Sequence, residues 1–190
     1  MKQNREIKVE DLTSSPTCGK PLVMGSTGKL FNVETTYNRV NTADVVFTPE
    51  SVAKMIVEYY NPTGKCLDPC KGEGAFLKYM PIGSDWCEIA YKKSFFDYHK
   101  KVDWIISNPP YSIINEWLEH SFKIADNIVY LLPINKTFSS WDRMKKIKEF
   151  GGIKEMWFLG PGNRVGFPFG FLYGCIYLKK GYVGPIEVKW

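Results

Sequence analysis

The segment Ser107–Tyr111 (SNPPY) carries two oxygen acceptors that could receive the protons of an amine. Pro109 and Pro110 remove two backbone donors and stiffen the turn, so we expect the Pro109 carbonyl and the Asn108 side-chain carbonyl to point outward together. Two fixed acceptors can bind both hydrogens of an exocyclic amine and stabilise the transition state as those protons become acidic. Tyr111 offers a ring face on which a flat base can stack. The segment predicts chemistry on a planar amine; the alternative is a rigid turn that only ends a strand.

A second segment, Asp68–Phe76 (DPCKGEGAF), follows a short apolar run and predicts a ligand-binding turn. Gly72 and Gly74 allow the backbone to approach a ligand closely, and open sheets bind ligands at the carboxyl ends of their strands. The phosphate-binding pattern GxxxxGK[ST] is absent, and Asp68 would repel a phosphate. We therefore expect a cationic or amino-bearing ligand here, although a Gly-x-Gly pair alone is also common in tight turns.

Alternating apolar runs and amphipathic segments predict the elements that hold these two segments. The predicted strands are Cys66–Asp68, Trp86–Ile89, Ser94–Phe96, Asp103–Ser107, Asn127–Leu132, Lys154–Leu159 and Leu172–Leu178. The first predicted helix is capped by Thr48 and has Val52, Met55, Ile56 and Tyr59 on its apolar face. Three further helices are predicted at Ala75–Tyr79, Ser112–Ala125 and Ser139–Phe150. Continuous apolar strands between helices indicate a mostly parallel sheet that is covered on both faces.

Composition excludes several other classes of protein. The chain has 190 residues, a net charge of +5 and 15% aromatic residues, which fits one domain able to bind a polyanion. The polar N-terminus is not a secretory signal, and no apolar run approaches the roughly 18 residues of a membrane span. Five cysteines without a repeated CxxC spacing predict reduced thiols and a cytoplasmic location. Cys66, Cys70 and a histidine could bind zinc by number alone, but the two cysteines flank a predicted strand end, so we expect no metal.

In chain order, DPCKGEGAF and then NPPY, the two segments resemble motifs I and IV of the class I S-adenosylmethionine-dependent methyltransferases. The resemblance is strongest to the adenine-N6 DNA methyltransferases with a (D/N/S)PP(Y/F) motif, in the compact form found in phages and mobile elements. It covers roughly residues 47–180. It implies an α/β Rossmann-like fold with a mostly parallel seven-stranded sheet, a C-terminal antiparallel hairpin and helices on both faces. Only nine residues separate Glu88 from Asp97, so we expect the helix between the second and third strands to be missing.

The resemblance also implies S-adenosylmethionine as the cofactor and assigns roles to individual residues. Phe47 and Thr48 would close over the methionine end, and Glu88 would accept from the ribose hydroxyls. Asp97 would lie near the amine of the cofactor's own adenine, with Phe96 or Tyr98 beside that ring. The implied cofactor residues are Phe47, Thr48, Asp68, Pro69, Cys70, Gly72, Gly74, Phe76, Glu88, Phe96, Asp97 and Asn108. The implied catalytic residues are Asn108, Pro109, Pro110 and Tyr111.

The implied substrate is DNA, single- or double-stranded, with the target adenine flipped onto Tyr111. Between Lys136 and Lys154 there are six basic and two acidic residues, which suits phosphate contacts; the alternative is a solvated helix face. The candidate substrate-binding residues are Tyr111, Lys136, Arg143, Lys145, Arg164, Phe167 and Phe169, the last two in the loop before the final strand.

The domain organisation predicted from the sequence is an irregular arm over residues 1–44 and a catalytic domain over residues 45–190. We expect no separate target-recognition domain, and a homodimer or a separate specificity subunit as further partners. Three alternatives remain open: methylation of adenine in RNA, methylation of a protein glutamine amide as in release factors, and a catalytically silent subunit.

Overall fold

The computed structural model describes residues 46–168 and 170–190 together with two short strands near the N-terminus. These strands, β1 (Leu22–Met24) and β2 (Leu30–Asn32), pair antiparallel. They belong to a compact unit over Met1–Tyr37, and the rest of the chain, Asn38–Trp190, forms a second unit. The rest of the arm predicted over residues 1–44 lies outside the described residues.

A seven-stranded mixed sheet forms the centre of the second unit. Its strands are β3 (Cys66–Asp68), β4 (Asp85–Trp86), β5 (Val102–Ser107), β6 (Ala125–Pro133), β7 (Gly151–Pro161), β8 (Leu172–Lys180) and β9 (Glu187–Lys189). The order across the sheet is β4-β3-β5-β6-β8-β7-β9. Only β8 runs antiparallel to its neighbours, and all other pairs are parallel. The predicted sheet with a C-terminal antiparallel hairpin is confirmed.

Within the described residues, four α-helices accompany the sheet: α1 (Glu50–Tyr60), α2 (Ile114–Ile124), α3 (Ile134–Phe138) and α4 (Trp141–Phe150). The first begins two residues after the predicted Thr48 cap, because the Pro49 carbonyl accepts the first helical hydrogen bonds, from the N–H groups of Val52 and Ala53. It ends at Asn61, whose φ of 42° is left-handed and cannot continue a helix. None of these helices is long and apolar enough to cross a membrane.

The apolar core lies on both faces of the sheet because successive strand residues point to opposite sides. Ile105 of β5 belongs to a cluster with α2 and α4, and the next residue, Ile106, belongs to a cluster with α1. In β6, Tyr130 and Leu131 divide in the same way. The apolar face of α1 differs from the prediction: Val52, Ala53, Ile56 and Val57 are buried, whereas Met55 and Tyr59 stay 39% and 41% exposed.

The region between β3 and β5 departs most from the predictions. The third strand predicted at Ser94–Phe96 is wrong, because the Ser94 hydroxyl accepts from the N–H of Phe96 and caps a 3₁₀ turn over Phe95–Asp97. The helix predicted at Ala75–Tyr79 is a series of turns that follows two glycines of positive φ. The strand predicted from Trp86 extends no further than that residue. The seventh strand is instead β9, which the sequence did not predict.

Candidate active site

A cleft of about 410 Å³ opens at the carboxyl ends of β3 and β5, a volume typical of small-ligand sites. Four segments of the chain meet there: residues 46–50 before and at the start of α1, the loop after β3, the turn after β5, and Gly166 in the loop between β7 and β8. Six of the predicted cofactor residues line this cleft: Phe47, Thr48, Cys70, Gly72, Phe76 and Asn108. The sequence therefore predicted the walls of the cleft from residues far apart in the chain.

The floor of the cleft is a glycine turn that only glycine can form without strain. Gly72 and Gly74 have φ values of +50° and +85°, in the left-handed region. A Cβ atom at Gly72 would lie 3.3 Å from Cδ1 of Phe47, so a side chain there would press into the opposite wall. The absence of a side chain at Gly72 thus lets the Phe47 ring lie directly against the turn at the edge of the cleft.

Asp68 lies directly beneath this turn and has no exposed surface. Its Oδ1 accepts from the Ser107 hydroxyl at 2.7 Å and from the N–H of Cys70 at 3.3 Å, while its Oδ2 has no hydrogen-bond partner in the described structure. Burial raises the pKa of Asp68 to about 7. A buried carboxyl with an unused oxygen beneath a glycine cradle suits an amino-bearing ligand.

Cys70 joins the glycine loop to the turn after β5. Its Sγ lies 3.1 Å from the Ser107 hydroxyl and donates to the backbone carbonyl of Asn108 at 3.0 Å. Burial raises the pKa of the thiol well above its ordinary value, so it remains a neutral donor. The residue was predicted to bind cofactor, and it does line the cleft, but its thiol hydrogen bonds are made to the predicted catalytic turn.

The predicted catalytic turn is fixed by side-chain hydrogen bonds on both sides of Asn108. Its Nδ2 donates to the Val46 carbonyl at 3.0 Å, and its Oδ1 accepts from the Tyr111 hydroxyl at 2.7 Å. These two bonds fix the orientation of the amide, with Nδ2 toward Val46 and Oδ1 toward Tyr111. Because an amide oxygen has two lone pairs, one acceptor position of Oδ1 remains for a ligand. Pro109 is buried and Pro110 is half-buried.

Tyr111 is half-buried, and its hydroxyl also lies 3.4 Å from that of Tyr173. The two rings meet edge to face, 6.4 Å between centroids. Burial raises the pKa of Tyr111, which keeps its hydroxyl protonated and donating. The sequence predicted a stacking ring; the hydrogen bond that orients Asn108 is an additional contact, and its signal was the i, i+3 spacing of the two residues.

The two acids assigned to the cofactor's ribose and adenine occupy different environments. Glu88 is half-buried; its Oε2 accepts from the N–H of Gly72 at 2.8 Å and its Oε1 from that of Ala90 at 3.2 Å. It therefore braces the glycine turn, with lone pairs left on both oxygens. Asp97 is exposed, and Phe96 packs edge-on against Trp117 in the core. None of these three predicted cofactor residues is among those that line the cleft, and Asp68, Pro69 and Gly74 are not among them either.

The predicted substrate residues separate into two groups. Lys136, Lys145 and Arg164 are exposed, as phosphate ligands must be. Arg143 is only 8% exposed, because its guanidinium is bound by Asn115 and Ser139, so it is not the exposed phosphate contact that the basic run suggested. Phe167 is buried against Tyr173, with ring centroids 4.1 Å apart. Phe169 lies outside the described residues.

Four charged residues at the cleft were not predicted: Glu50, Lys71, Glu73 and Lys78. Glu50 accepts from the Lys78 ammonium at 2.5 Å and from the Tyr79 hydroxyl at 2.8 Å, which ties the start of α1 to the loop after β3. The Lys71 ammonium lies 4.4 Å from the Trp86 ring centroid, a cation–π contact. An acid in the first turn of a helix is common, so the sequence carries no separate signal that Glu50 lines the cleft.

Solved structures with the same fold include three that are instructive. A Listeria monocytogenes protein assigned to the class I S-adenosylmethionine-dependent methyltransferases aligns at 13% identity and a TM-score of 0.62, covering 75% of this chain and 64% of its own. The methyltransferase subunit of a type I restriction-modification system from Streptococcus thermophilus aligns at 16% and 0.56, covering 78% and 48%. A Pyrococcus horikoshii protein assigned as an RNA methyltransferase aligns at 14% and 0.52, covering 70% and 84%.

No protein-family model matches the sequence, and no curated protein matches it. The chain spans less than two thirds of the Listeria and Streptococcus chains. At these identities the likeness establishes the fold, and the substrate must be argued from the cleft itself.

Proposed function

We propose that this chain, which has the class I S-adenosylmethionine-dependent methyltransferase fold, transfers a methyl group from S-adenosylmethionine to the N6 amine of adenine in DNA. One observation carries the proposal: Asn108 lines the same cleft as Gly72 and Phe47. A methyl donor held by the glycine turn and an amine held by Asn108 would therefore share one enclosed space, as direct transfer requires.

The residues at the cleft fit the cofactor. Gly72 presents its backbone to the cleft, Phe47 and Thr48 form the opposite wall, and Asp68 beneath the turn has an unused carboxyl oxygen. When bound there, the cofactor supplies a methyl group on a positively charged sulfur. The chain's own contribution is to hold that group in the cleft beside the amine.

Asn108 and Pro109 would act on the acceptor amine. The nitrogen would use its lone pair to form the new bond to carbon as the carbon–sulfur bond breaks, so its protons would become acidic and one would pass to water. The free lone pair of Asn108 Oδ1 and the Pro109 carbonyl would accept those protons by hydrogen bonding, which stabilises the developing charge. The Tyr111 hydroxyl holds Asn108 in the required orientation, through the 2.7 Å bond to its Oδ1.

DNA is favoured as the substrate by charge and by likeness. The exposed Lys136, Lys145 and Arg164 can bind phosphates. The fold is shared with the methyltransferase subunit of a type I restriction-modification system, although it is shared with an RNA methyltransferase as well.

The test uses tritiated S-adenosylmethionine with unmethylated duplex DNA, single-stranded DNA, RNA and a release factor in separate reactions. We expect label on N6-methyladenine in DNA after nuclease digestion and chromatography. Label only in RNA or only in protein would replace the proposed substrate. Absence of label everywhere, with no cofactor binding by calorimetry, would refute the enzymatic proposal and favour a silent subunit.

Asn108→Ala should lower the transfer rate by about 100-fold or more, because it removes an acceptor placed for the transition state. Cofactor affinity, measured by calorimetry, should change by less than about threefold, because the glycine turn is untouched. Asn127→Ala is a matched control: its amide also donates to a backbone carbonyl and accepts from a tyrosine hydroxyl, away from the cleft. Equal loss of affinity and rate in Asn108→Ala would contradict the role given to Asn108.

Tyr111 allows a second test of how the amine is held. Tyr111→Ala should reduce the transfer rate more than Tyr111→Phe or Tyr111→Trp, since stacking of the target base needs a ring and is worth about tenfold or more. If Tyr111→Phe is as inactive as Tyr111→Ala, the hydrogen bond from the hydroxyl to Asn108 is the essential contact and the stacking role is wrong.

A further inference from the structure

The outer face of α4 presents an aromatic ring among lysines. Trp141, at the start of the helix, is 76% exposed, and Phe138, three residues earlier, is 42% exposed. Lys145 and Lys148 are exposed four and seven residues after Trp141, so all three share one helical face. We call Lys136, Phe138, Trp141, Lys145 and Lys148 the Trp141 surface.

Arg143 fixes this surface in position relative to the predicted catalytic turn. Its Nε donates to Asn115 Oδ1 at 2.7 Å, and its Nη1 donates to the Ser139 hydroxyl at 3.3 Å. Asn115 lies in the first turn of α2, four residues after Tyr111. The corner between α3 and α4, which carries both exposed rings, is therefore braced against the helix that starts beside Tyr111.

The charge of the Trp141 surface is complementary to a polyanion. Lys136, Lys145 and Lys148 are exposed there, whereas Lys146 is paired with Glu119 of α2. Asp142 and Glu149 are also exposed on α4, about a quarter turn away from the Trp141 face. The rings are separated by polar residues, a pattern that differs from the contiguous apolar patch of a protein interface.

We propose that the Trp141 surface is a stacking platform for unpaired bases in single-stranded DNA on either side of the target adenine. Exposed rings stack on the faces of bases, and the lysines beside them neutralise the connecting phosphates. Bases within a duplex are already stacked on their neighbours and cannot offer both faces. This inference rests on the proposed function for the identity of the target, and it narrows the substrate to unpaired DNA.

The test measures binding of a fluorescein-labelled oligodeoxythymidine by fluorescence anisotropy, without cofactor. Trp141→Ala should weaken binding about tenfold, within the range found for loss of one base–aromatic stack, whereas Trp141→Phe should retain most of it. Trp190→Ala is the matched control, because Trp190 is 86% exposed but lies beyond β9, stacked on Phe158. Its affinity should equal that of the parent protein.

A salt series adds a second readout. Lys145→Ala should lower the slope of log affinity against log salt by about 0.7, the value for one phosphate contact with a single strand, and Trp141→Ala should leave the slope unchanged. Three results would each overturn the platform. They are tighter binding to a duplex of the same length, equal affinity in Trp141→Ala and the parent protein, and no binding of the oligonucleotide. Oligodeoxythymidine contains no adenine, so failure here is distinct from failure of the methyl-transfer assay.

Discussion

The sheet has a leading half, β3 to β5, and a trailing half, β6 to β9, and the two halves are built differently. In the leading half, β3 and β4 have three and two residues, and turns stand where the sequence predicted a helix at Ala75–Tyr79 and a strand at Ser94–Phe96. In the trailing half, β6, β7 and β8 have nine, eleven and nine residues. The cleft lies on the leading half. The contrast indicates that the trailing half supplies most of the stability, while the leading half supplies the site.

The leading half relies instead on polar contacts that converge beneath the cleft. Ser107 bonds Asp68, Cys70 bonds the Asn108 carbonyl, and Glu88 bonds the N–H of Gly72. Each such bond contributes roughly 1 kcal/mol net, less than the burial of one large aliphatic side chain. Changes of a single atom in the leading half should therefore alter ligand binding while barely changing the stability of the fold. Substitutions in the trailing half should lower stability and leave ligand binding unchanged.

The largest effect should come from the trailing half. Leu131→Ala removes a side chain with no exposed surface at the centre of β6, so we expect the free energy of unfolding in urea to fall by about 3 kcal/mol. The folded fraction should bind cofactor normally. Val188→Ala, at a 53% exposed position in β9, should change stability by less than about 0.5 kcal/mol. Loss of cofactor affinity in folded Leu131→Ala would erase the distinction between the halves.

The same contrast explains which elements were predictable. Long apolar runs such as Asn127–Leu132 and Leu172–Leu178 predicted β6 and β8 to within a few residues, because continuous burial leaves a strong sequence signal. The segment Ser94–Phe96 is equally apolar but too short for its pattern to decide, and the hydrogen bond of the Ser94 hydroxyl makes it a turn. The last strand, β9, is exposed and carries no such pattern.

The site could be predicted in part for a similar reason. Glycines and consecutive prolines constrain the backbone directly, so Gly72 and Asn108 were identified and both line the cleft. Arg143 could not be assigned from composition, since a basic run does not say which of its members faces the core. The Glu50–Lys78 contact joins residues 28 apart and has no local signature.

A smaller effect, and one confined to the leading half, is expected from pH. Burial raises the pKa of Asp68 from an ordinary value of 3.8 to about 7, so the folded state favours the protonated form. Its contribution to stability is therefore fully present below pH 4 and is lost as pH rises through 7. Through this group the parent protein should lose about 2 kcal/mol of unfolding free energy between pH 5 and pH 8. Asp68→Asn cannot ionise and should not show this loss.

The control for this series is Asp97→Asn, at an exposed carboxyl of the same half, which should follow the parent at both pH values. Urea unfolding by circular dichroism provides the measurement. If Asp68→Asn and the parent lose equal stability between pH 5 and pH 8, the carboxyl is not held in the buried, partly unpaired state described above.

The smallest effect on stability should be the most specific for the site. Gly72→Ala and Gly83→Ala both place a Cβ at positive φ, +50° and +85°, so each should lower the unfolding free energy by about 1 kcal/mol. Only at Gly72 does the new atom meet another residue, 3.3 Å from the Phe47 ring, whereas no atom lies within 4 Å at Gly83. Calorimetry should therefore show cofactor affinity reduced about tenfold in Gly72→Ala and unchanged in Gly83→Ala, a factor that corresponds to about 1.4 kcal/mol. Equal affinities in the two variants would mean that the packing of Phe47 against Gly72 does not shape the cofactor site, and the leading half would lose its claim to the site.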